Sequence, residues 1–461
     1  MKELTHIYFL GIGGIGMSAL ARYFNAMGKV VAGYDKTPTK LTSELEAEGI
    51  RVFYQDDVDA LPAEFVKNNP QVLIVYTPAI PKDHKQYNYF LNAGHTIKKR
   101  AAVLGLITSS AYTVAIAGTH GKTTTSSLIA HILKSAGKDP SAFLGGIAQN
   151  YNTNLLLSAG LQNSSNPEPL VVVEADEYDR SFLTLFPDVA VITSMDADHL
   201  DIYGDSSSVE ESFILFSRQV RSLLVLKKSI ASKINASVPM RTYSVDDKAA
   251  DYHAVDIKII KGSYHFSIKH PGGTMKDLEL GLPGKHNVEN SVAASAVALS
   301  MGVAEEQIKA ALASFKGVRR RFDYHIKKED LVFIDDYAHH PEELKATISS
   351  AKEMYPGKRI TGVFQPHLFS RTRDFADDFA KSLDLLDECI LMEVYPAREM
   401  PIEGVSSQLL LDKMSSKNKS ICSKDTLVNE IARRRPEVLI TMGAGDIDTF
   451  VEAIKKKLSE K

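Results

Sequence analysis

The seven residues Gly118-Thr119-His120-Gly121-Lys122-Thr123-Thr124 carry the densest chemistry in the chain. They follow an apolar, β-rich run from Tyr112 to Ala117 and open a helical pattern that reaches Ser135 and ends before Gly137. A glycine-rich turn between strand and helix aims backbone amides at phosphate oxygens. A lysine there neutralises the β and γ phosphoryl groups, and the next threonine hydroxyl suits Mg²⁺. The residue five before Gly121 is Ile116, so the loop is the shorter G-x-x-G-K-T form rather than a full Walker A pattern. A chance G-K-T in a loop is common, but the strand before it and the helix after it point to ATP.

A second glycine pattern, Gly11-x-Gly13-Gly14-Ile15-Gly16, follows the strand-like run His6 to Leu10 and precedes a helical pattern reaching Met27. Asp35 ends the next strand, Val30 to Tyr34, nineteen residues beyond Gly16. This is the context of a dinucleotide-type fold, where a diphosphate approaches bare backbone at a helix N-terminus. NAD and a UDP-sugar both present a diphosphate and a ribose, so the loop alone does not choose between them. A tight turn without ligand is the plainer alternative.

Acidic and imidazole groups stand past two further strands. Glu174-Ala175-Asp176-Glu177 ends the run from Leu170 to Val173, and Asp196-x-Asp198-His199-Leu200-Asp201 follows Val189 to Thr193. Strand ends in α/β sheets are where metal ligands are presented, and Mg²⁺ prefers oxygen donors with an occasional imidazole. Surface loop charge is the competing explanation. Gly284-Lys285-His286-Asn287-x-x-Asn290 opens a small-residue helix, where Asn amides can read an adenine edge and His286 can stack on it; Asn287 serves equally as a helix cap. Later, Asp335-Asp336-Tyr337-Ala338-His339-His340-Pro341 and Gln365-Pro366-His367-Leu368-Phe369-Ser370-Arg371-Thr372 each follow a strand. A guanidinium such as Arg371 suits bidentate capture of a carboxylate, although a surface ion pair is the common fate of an arginine.

The elements that must hold these groups alternate strand and helix, which predicts an α/β chain built on parallel sheets. The 461 residues allow two to four domains. Boundaries fall near residues 108 and 318, giving 1–108, 109–317 and 318–461 with no low-complexity linker between them. A more alternating stretch, Tyr252 to Ile268, reads as antiparallel strands closed by His270-Pro271-Gly272-Gly273. In the last block, strands are expected at Leu331 to Ile334, Arg359 to Phe364, Glu388 to Val394 and Val438 to Met442.

Composition narrows the classes. Hydrophobic residues at 44% and charged residues at 24% are ordinary for a globular protein and exclude disorder, collagen and coiled-coil rods. Lys+Arg 54 against Asp+Glu 57 leaves a formal charge of −3, so no global basic field recruits a nucleic-acid polymer. No run approaches the ~18 apolar residues of a membrane helix. Two cysteines, Cys389 and Cys422, make neither a disulfide framework nor a metal knuckle, and a cytoplasmic location with reduced thiols is expected.

Taken together, Gly118–Thr124, Glu174 with His199, Gly284–Asn290 and Asp335–Pro341 resemble the Mur ligases of peptidoglycan synthesis. Gly11–Leu20 (GIGGIGMSAL), Asp335–Pro341 (DDYAHHP), His367–Thr372 (HLFSRT), Tyr395–Glu399 (YPARE) and Met442–Ile447 (MGAGDI) resemble its alanine-adding branch. The likeness spans nearly the whole chain. It implies a Rossmann-like UDP-binding domain, a central P-loop-type ATPase domain and a Rossmann-like C-terminal domain. It also implies ATP-dependent joining of L-alanine to the lactyl carboxylate of UDP-N-acetylmuramate through an acyl phosphate.

Residue by residue, the resemblance implies that Thr123 and Glu174 hold one Mg²⁺ and His199 a second. Asn287 and Asn290 would hold adenine with His286 beside it, and Arg321 and Asp336 would reach phosphate and ribose. His339 and Arg371 would face L-alanine and the acyl phosphate, and Gly11, Gly13, Gly14, Ile15, Gly16, Asp35 and Thr77 would take the UDP-sugar. The three blocks would close around the nucleotides to shield the acyl phosphate from water.

Some positions depart from the family. Residues 205–226 contain no lysine where sister ligases place a carbamylated one, as suits the alanine branch. Leu368 stands where many alanine ligases carry Arg, and Tyr76-Thr77-Pro78-Ala79-Ile80 replaces a more usual serine pair. A dehydrogenase using the first glycine loop would leave Lys122, Glu174 and His199 without a role. A sugar-nucleotide-binding or regulatory protein would leave the ATP loop superfluous. A recycling ligase that attaches an intact tripeptide to the same sugar nucleotide is the nearer alternative. A homodimer is neither required nor excluded by the sequence.

Overall fold

A computed structural model describes residues 3–161, 169–196, 200–397 and 399–460. It is an α/β architecture with three sheets, and the chain divides into two compact units. The first holds residues 1–253, 269–274 and 290–311; the second holds 254–268, 275–289 and 312–461. Among the described residues, no helix is long and apolar enough to cross a membrane.

The first unit opens with a five-stranded parallel sheet: β1 (His6–Leu10), β2 (Val30–Tyr34), β3 (Arg51–Phe53), β4 (Val72–Tyr76) and β5 (Thr96–Lys99), ordered β3-β2-β1-β4-β5. The central strands are buried on both faces, which is why they read as continuous apolar runs rather than alternating ones. The strand order reverses between β1 and β4, so the loop after β1 opens at the switch point where such sheets bind ligands. Helix α1 (Ile15–Ala26) follows that loop, with Met27 as its C-cap, and α2 (Arg100–Thr108) follows β5 directly.

The same unit then builds a second sheet around β6 (Tyr112–Ala117), followed by α3 (Lys122–Ser135). Its other strands are β7 (Ser141–Ala148), β8 (Thr153–Leu156), β9 (Leu170–Glu174), β10 (Val189–Ile192), β11 (Leu223–Lys227) and β12 (Met240–Ser244). The order is β12-β11-β10-β6-β9-β7-β8, parallel except for β8. β9 and β10 therefore flank β6, with Glu174 in register with Ile116 and Ile192 with Ala117. Three strand ends emerge side by side, and whatever follows them must converge. The first two residues of β13 (Tyr252–Ile260) continue the sheet beside β12.

Most of β13, with part of β14 (Ser263–His270) and of β15 (Gly273–Leu280), belongs to the second unit. Lys261 and Gly262 join β13 to β14 with φ of 50° and 81°, the paired left-handed conformation of a tight hairpin. Helix α4 (Lys285–Ser300) begins in this unit. The third sheet comprises β16 (Asp323–Lys327), β17 (Val332–Asp336), β18 (Ile360–Phe364), β19 (Glu388–Leu391), β20 (Lys419–Ile421) and β21 (Val438–Met442). Its order is β16-β17-β21-β18-β19-β20, with β16 an antiparallel edge. Strand β19 stops at Leu391, short of the Val394 expected, because the chain leaves the sheet to bring Tyr395 beside His367. Helix α5 (Pro341–Met354) is started by a Pro at its first turn and a His340–Glu343 capping box.

Candidate functional site

The loop after β6 is shaped by two glycines in the left-handed region, Gly118 at φ 133° and Gly121 at φ 82°. A Cβ at Gly118 would stand 2.0 Å from Thr193 Oγ1, and one at Gly121 would stand 2.8 Å from Asn290 Oδ1. Only glycine lets this turn lie against the end of β10 on one side and the Asn290 amide on the other. Thr119 Oγ1 donates to the Asp196 carbonyl at 2.9 Å, and the His120 amide donates to Ser194 Oγ at 2.9 Å. The loop is thus tied to the β10 end, where Asp196 also approaches His120 Nε2 at 3.7 Å. His199 and Asp198 lie outside the described residues.

Lys122 opens α3 and folds back over its own loop. Its Nζ donates to the Gly118 carbonyl at 2.6 Å and to Glu177 Oε1 at 2.9 Å. Burial disfavours the ammonium, but the carboxylates of Glu177, Glu174 and Asp176 outweigh it and hold Lys122 above the usual lysine range. Glu177 is pushed up by burial, and Lys122 opposes that shift. Thr123 Oγ1 donates to Glu174 Oε1 at 3.1 Å, while the Gly145 amide donates to Oε2 at 3.0 Å. A hydroxyl and a carboxylate, both hard oxygen donors, stand together at the mouth of the phosphate loop beside a protonated lysine. Thr124 is the next residue of the helix and is buried.

The first glycine loop is built differently. Gly11 takes φ 87°, and a Cβ there would meet Thr77 Cγ2 at 2.6 Å, so Thr77 packs directly on the turn. The Gly13 amide donates to Asp35 Oδ2 at 2.7 Å, which commits one carboxylate oxygen to holding the loop. Gly14 is the N-cap of α1 and brings no capping side chain, leaving Ile15 and Gly16 as a bare first turn. The Ile15 carbonyl accepts from Asn154 Nδ2 at 2.6 Å, so this helix end is docked on β8.

In the second unit, His286 folds over Gly284, whose added Cβ would meet its ring at 2.4 Å. Asn287 donates through Nδ2 to the Pro283 carbonyl at 2.6 Å, tying the first turn of α4 to the segment that precedes it. The ends of β17, β21 and β18 converge as those of the middle sheet do. Asp336 is buried and accepts from the Phe322 and Ala338 amides, each at 2.8 Å. Burial pushes its carboxyl up to about 6. Asp336 therefore fixes the turn that carries Tyr337 and Ala338. Arg321 lies 5.3 Å over the Tyr337 ring, with Glu343 at 3.8 Å. The His339 Nδ1–H donates to the Tyr337 carbonyl at 2.9 Å, and its ring faces His367 edge-on at 6.2 Å.

Sequence reasoning missed several groups that hold these in place. Arg320 bonds Asp335 Oδ2 at 3.1 Å and the Gly443 carbonyl at 2.6 Å, locking β17 to β21. Gln365 donates to Asp446 Oδ1 at 2.7 Å and accepts from the Ile447 amide at 2.9 Å. Leu368 has φ 71° and donates its amide to the Tyr395 carbonyl at 3.0 Å, and Glu399 accepts from the Ser370 amide at 3.0 Å. The stretches around 365–372, 395–399 and 442–447 are one interlocked mouth, in which Arg371 is buried on the short helix Phe369–Asp374. Glu177 lies within the acidic cluster Glu174–Glu177, and Arg320 stands next to Arg321, so both had a signal in sequence. A groove of ≈ 470 Å³ lined by Lys358, Arg359, Asp387 and Glu437 lies at the opposite, amino ends of these strands, away from that mouth.

Three family models match the chain: "Mur ligase family, catalytic domain" over residues 6–112, "Mur ligase middle domain" over 116–298, and "Mur ligase, glutamate ligase domain" over 320–445. The UDP-N-acetylmuramate–L-alanine ligase of Parabacteroides distasonis is 50% identical, covering 100% of this chain and 99% of its own length. That of Flavobacterium johnsoniae is 48% identical over the same shares. The crystal structure of the UDP-N-acetylmuramate–alanine ligase MurC from Thermotoga maritima superposes with a TM-score of 0.81 at 28% identity, covering 98% of each chain. With its glycine loops, its convergent strand ends and these full-length likenesses, the chain belongs to the Mur ligase family.

Proposed function

We propose that the protein joins L-alanine to UDP-N-acetylmuramate with cleavage of ATP to ADP and phosphate, as its relatives' names state for them. A carboxylate is a poor electrophile. One of its oxygens must first attack the γ-phosphorus with loss of ADP; the alanine nitrogen then attacks the acyl carbon, and phosphate leaves as the C–N bond forms. The observation that carries this reading is the contact of Thr123 with Glu174 at 3.1 Å, beside the Lys122–Glu177 pair. It gathers hard oxygen donors and a fixed cation at one glycine turn.

Lys122 supplies charge to the transferring phosphoryl group, and the amides of Gly118 to Thr124 cradle it. The oxygens of Thr123 and Glu174 fit Mg²⁺, which when bound would offset charge developing on the transferred phosphoryl group; we assign His199 to a second ion. Asn287 and Asn290 flank the adenine with His286, while Arg321 and Asp336 serve phosphate and ribose. His339 and Arg371 serve the amino acid and acyl phosphate. Gly11, Gly13, Gly14, Ile15, Gly16, Asp35 and Thr77 hold the sugar nucleotide. The functional blocks are 1–108, 109–317 and 318–461. ATP as substrate and the buried free thiols of Cys389 and Cys422 support a cytoplasmic location. Phosphate release that needs UDP-N-acetylmuramate and L-alanine together tests the assignment. Release with either one alone contradicts it.

A further inference from the structure

The first glycine loop and the ATP loop are joined by one side chain that belongs to neither motif. Arg100 opens α2, and its guanidinium lies across the first turn of α1: a Cβ added at Gly16 would stand 2.9 Å from Nη1. Its Nη2 donates to Asp176 Oδ2 at 3.1 Å. Asp176 sits between Glu174 and Glu177, the two carboxylates that hold Thr123 and Lys122. Arg100, Glu174 and Asp176 also line one cleft of ≈ 10 Å³, room for about one water.

The turn carrying Asp176 is under backbone strain. Asp179 and Arg180 are consecutive non-glycine residues at φ 52° and 53°, a conformation that persists only where surroundings enforce it. Among the contacts that hold it are two ion pairs from adjacent residues: Arg100 with Asp176, and Lys99 with Asp179 at 2.9 Å. Both are partly solvated, with side-chain exposures of 21% and 39% in the first, so each is weak and cheap to open. A diphosphate offers the same guanidinium two anionic groups in the fork geometry it binds best.

Resting on the reading of Gly11–Gly16 as the sugar-nucleotide loop, we infer that Arg100 is a switching cation. It pairs with Asp176 while that loop is empty and transfers to the diphosphate when the sugar nucleotide binds. Its departure releases an ion-pair anchor of the turn that bears Glu177, the partner of Lys122. Occupancy of one nucleotide site is thereby communicated to the other, and linkage makes the effect reciprocal. Arg100 is a positioning residue here as well as a ligand contact.

Calorimetry with UDP-N-acetylmuramate, with and without a non-hydrolysable ATP analogue and Mg²⁺, tests this on the full chain. The ratio of the two dissociation constants is the coupling factor. Arg100→Ala should bind the sugar nucleotide about tenfold more weakly or worse, with Arg100→Lys between it and the parent, and its coupling factor should fall to about one. Asp176→Asn should bind the sugar nucleotide at least as tightly as the parent, because the cation no longer leaves a carboxylate, and should also lose coupling. A mere strut would instead show both variants weakened alike with lowered melting temperatures, and that result overturns the switch. So does a parent coupling factor of one, or a parent-like affinity in Arg100→Ala. A parent that binds no UDP-N-acetylmuramate overturns the loop assignment itself, which separates the two failures.

Discussion

Lys122 and Glu177 form a buried ion pair beneath the ATP loop, with Nζ 2.9 Å from Oε1 and 2.8 Å from Oε2 and side chains only 13% and 3% exposed. The pair explains how a lysine can be both charged and fixed at the loop proposed to take the phosphoryl groups. It also makes the lysine structurally demanding, because removing one partner strands the other charge in a dry site.

Lys122→Ala should therefore abolish ligation and also lower stability by about 3–5 kcal/mol, the usual effect of breaking a buried pair. Lys122→Ala combined with Glu177→Gln removes the stranded carboxylate. It should recover most of the stability and none of the activity. Chemical denaturation and phosphate release on the same preparations separate the two roles. Turnover near the parent's in either variant would remove Lys122 from the chemistry.

Glu174→Gln should raise the Mg²⁺ concentration needed for half-maximal rate while leaving the loop folded. The amide still accepts from Thr123 but has lost the charge a hard cation prefers. Rates titrated with Mg²⁺ decide this. Superposable curves for variant and parent would show that Glu174 is not a ligand.

At Gly13, a Cβ would stand 2.8 Å from both Asp35 Oδ2 and Thr42 Cγ2. Gly13→Val should force Asp35 off the loop amide and weaken UDP-N-acetylmuramate binding far more than ATP binding. Overpacking of this kind costs about 1–3 kcal/mol. Titration with each nucleotide reads the difference, and equal losses for both would argue for general damage instead. Tight NAD binding by the parent protein would point to a dehydrogenase.

Much of this was legible from periodicity. Strands β1, β2, β4, β6 and β21 begin and end where the apolar runs do, since parallel strands buried on both faces read as near-continuous apolar runs. Helix α3 stops at Ser135 ahead of Gly137, as its C-terminal signal indicates. The strands at β7 and β8 were not legible: Gly145 and Gly146 break the first, and the second is only four residues long. Tertiary partnerships were hidden altogether. Nothing in local sequence pairs Arg100 with Asp176, or Gln365 with Asp446, because strand order rather than spacing brings them together. Asp336 shows the same limit, since local sequence does not disclose that its side chain holds the Phe322 and Ala338 amides.

Asp336 also carries a pH signature. Burial raises its folded value to about 6, above the ordinary carboxyl range. The unfolded chain then releases the proton first as pH rises, so the group's stabilising contribution is complete below about pH 4 and is lost on passing about pH 6. Two pKa units correspond to about 3 kcal/mol. Between about pH 4 and about pH 7 the parent should lose that much more unfolding free energy than Asp336→Asn, which has no proton to release. Identical pH profiles in urea denaturation would show the carboxylate ionised throughout.

Whether the protein forms the alanyl amide can be read from one assay: ADP formation in the presence of UDP-N-acetylmuramate with either L-alanine or the intact tripeptide as acceptor, with the product weighed by mass spectrometry. L-alanine should give stoichiometric ADP and a product heavier than the sugar nucleotide by one alanyl residue, and the tripeptide should give neither. Turnover with the tripeptide and none with L-alanine would make the protein a recycling ligase instead. ADP formation without any acylated product would contradict ligation altogether.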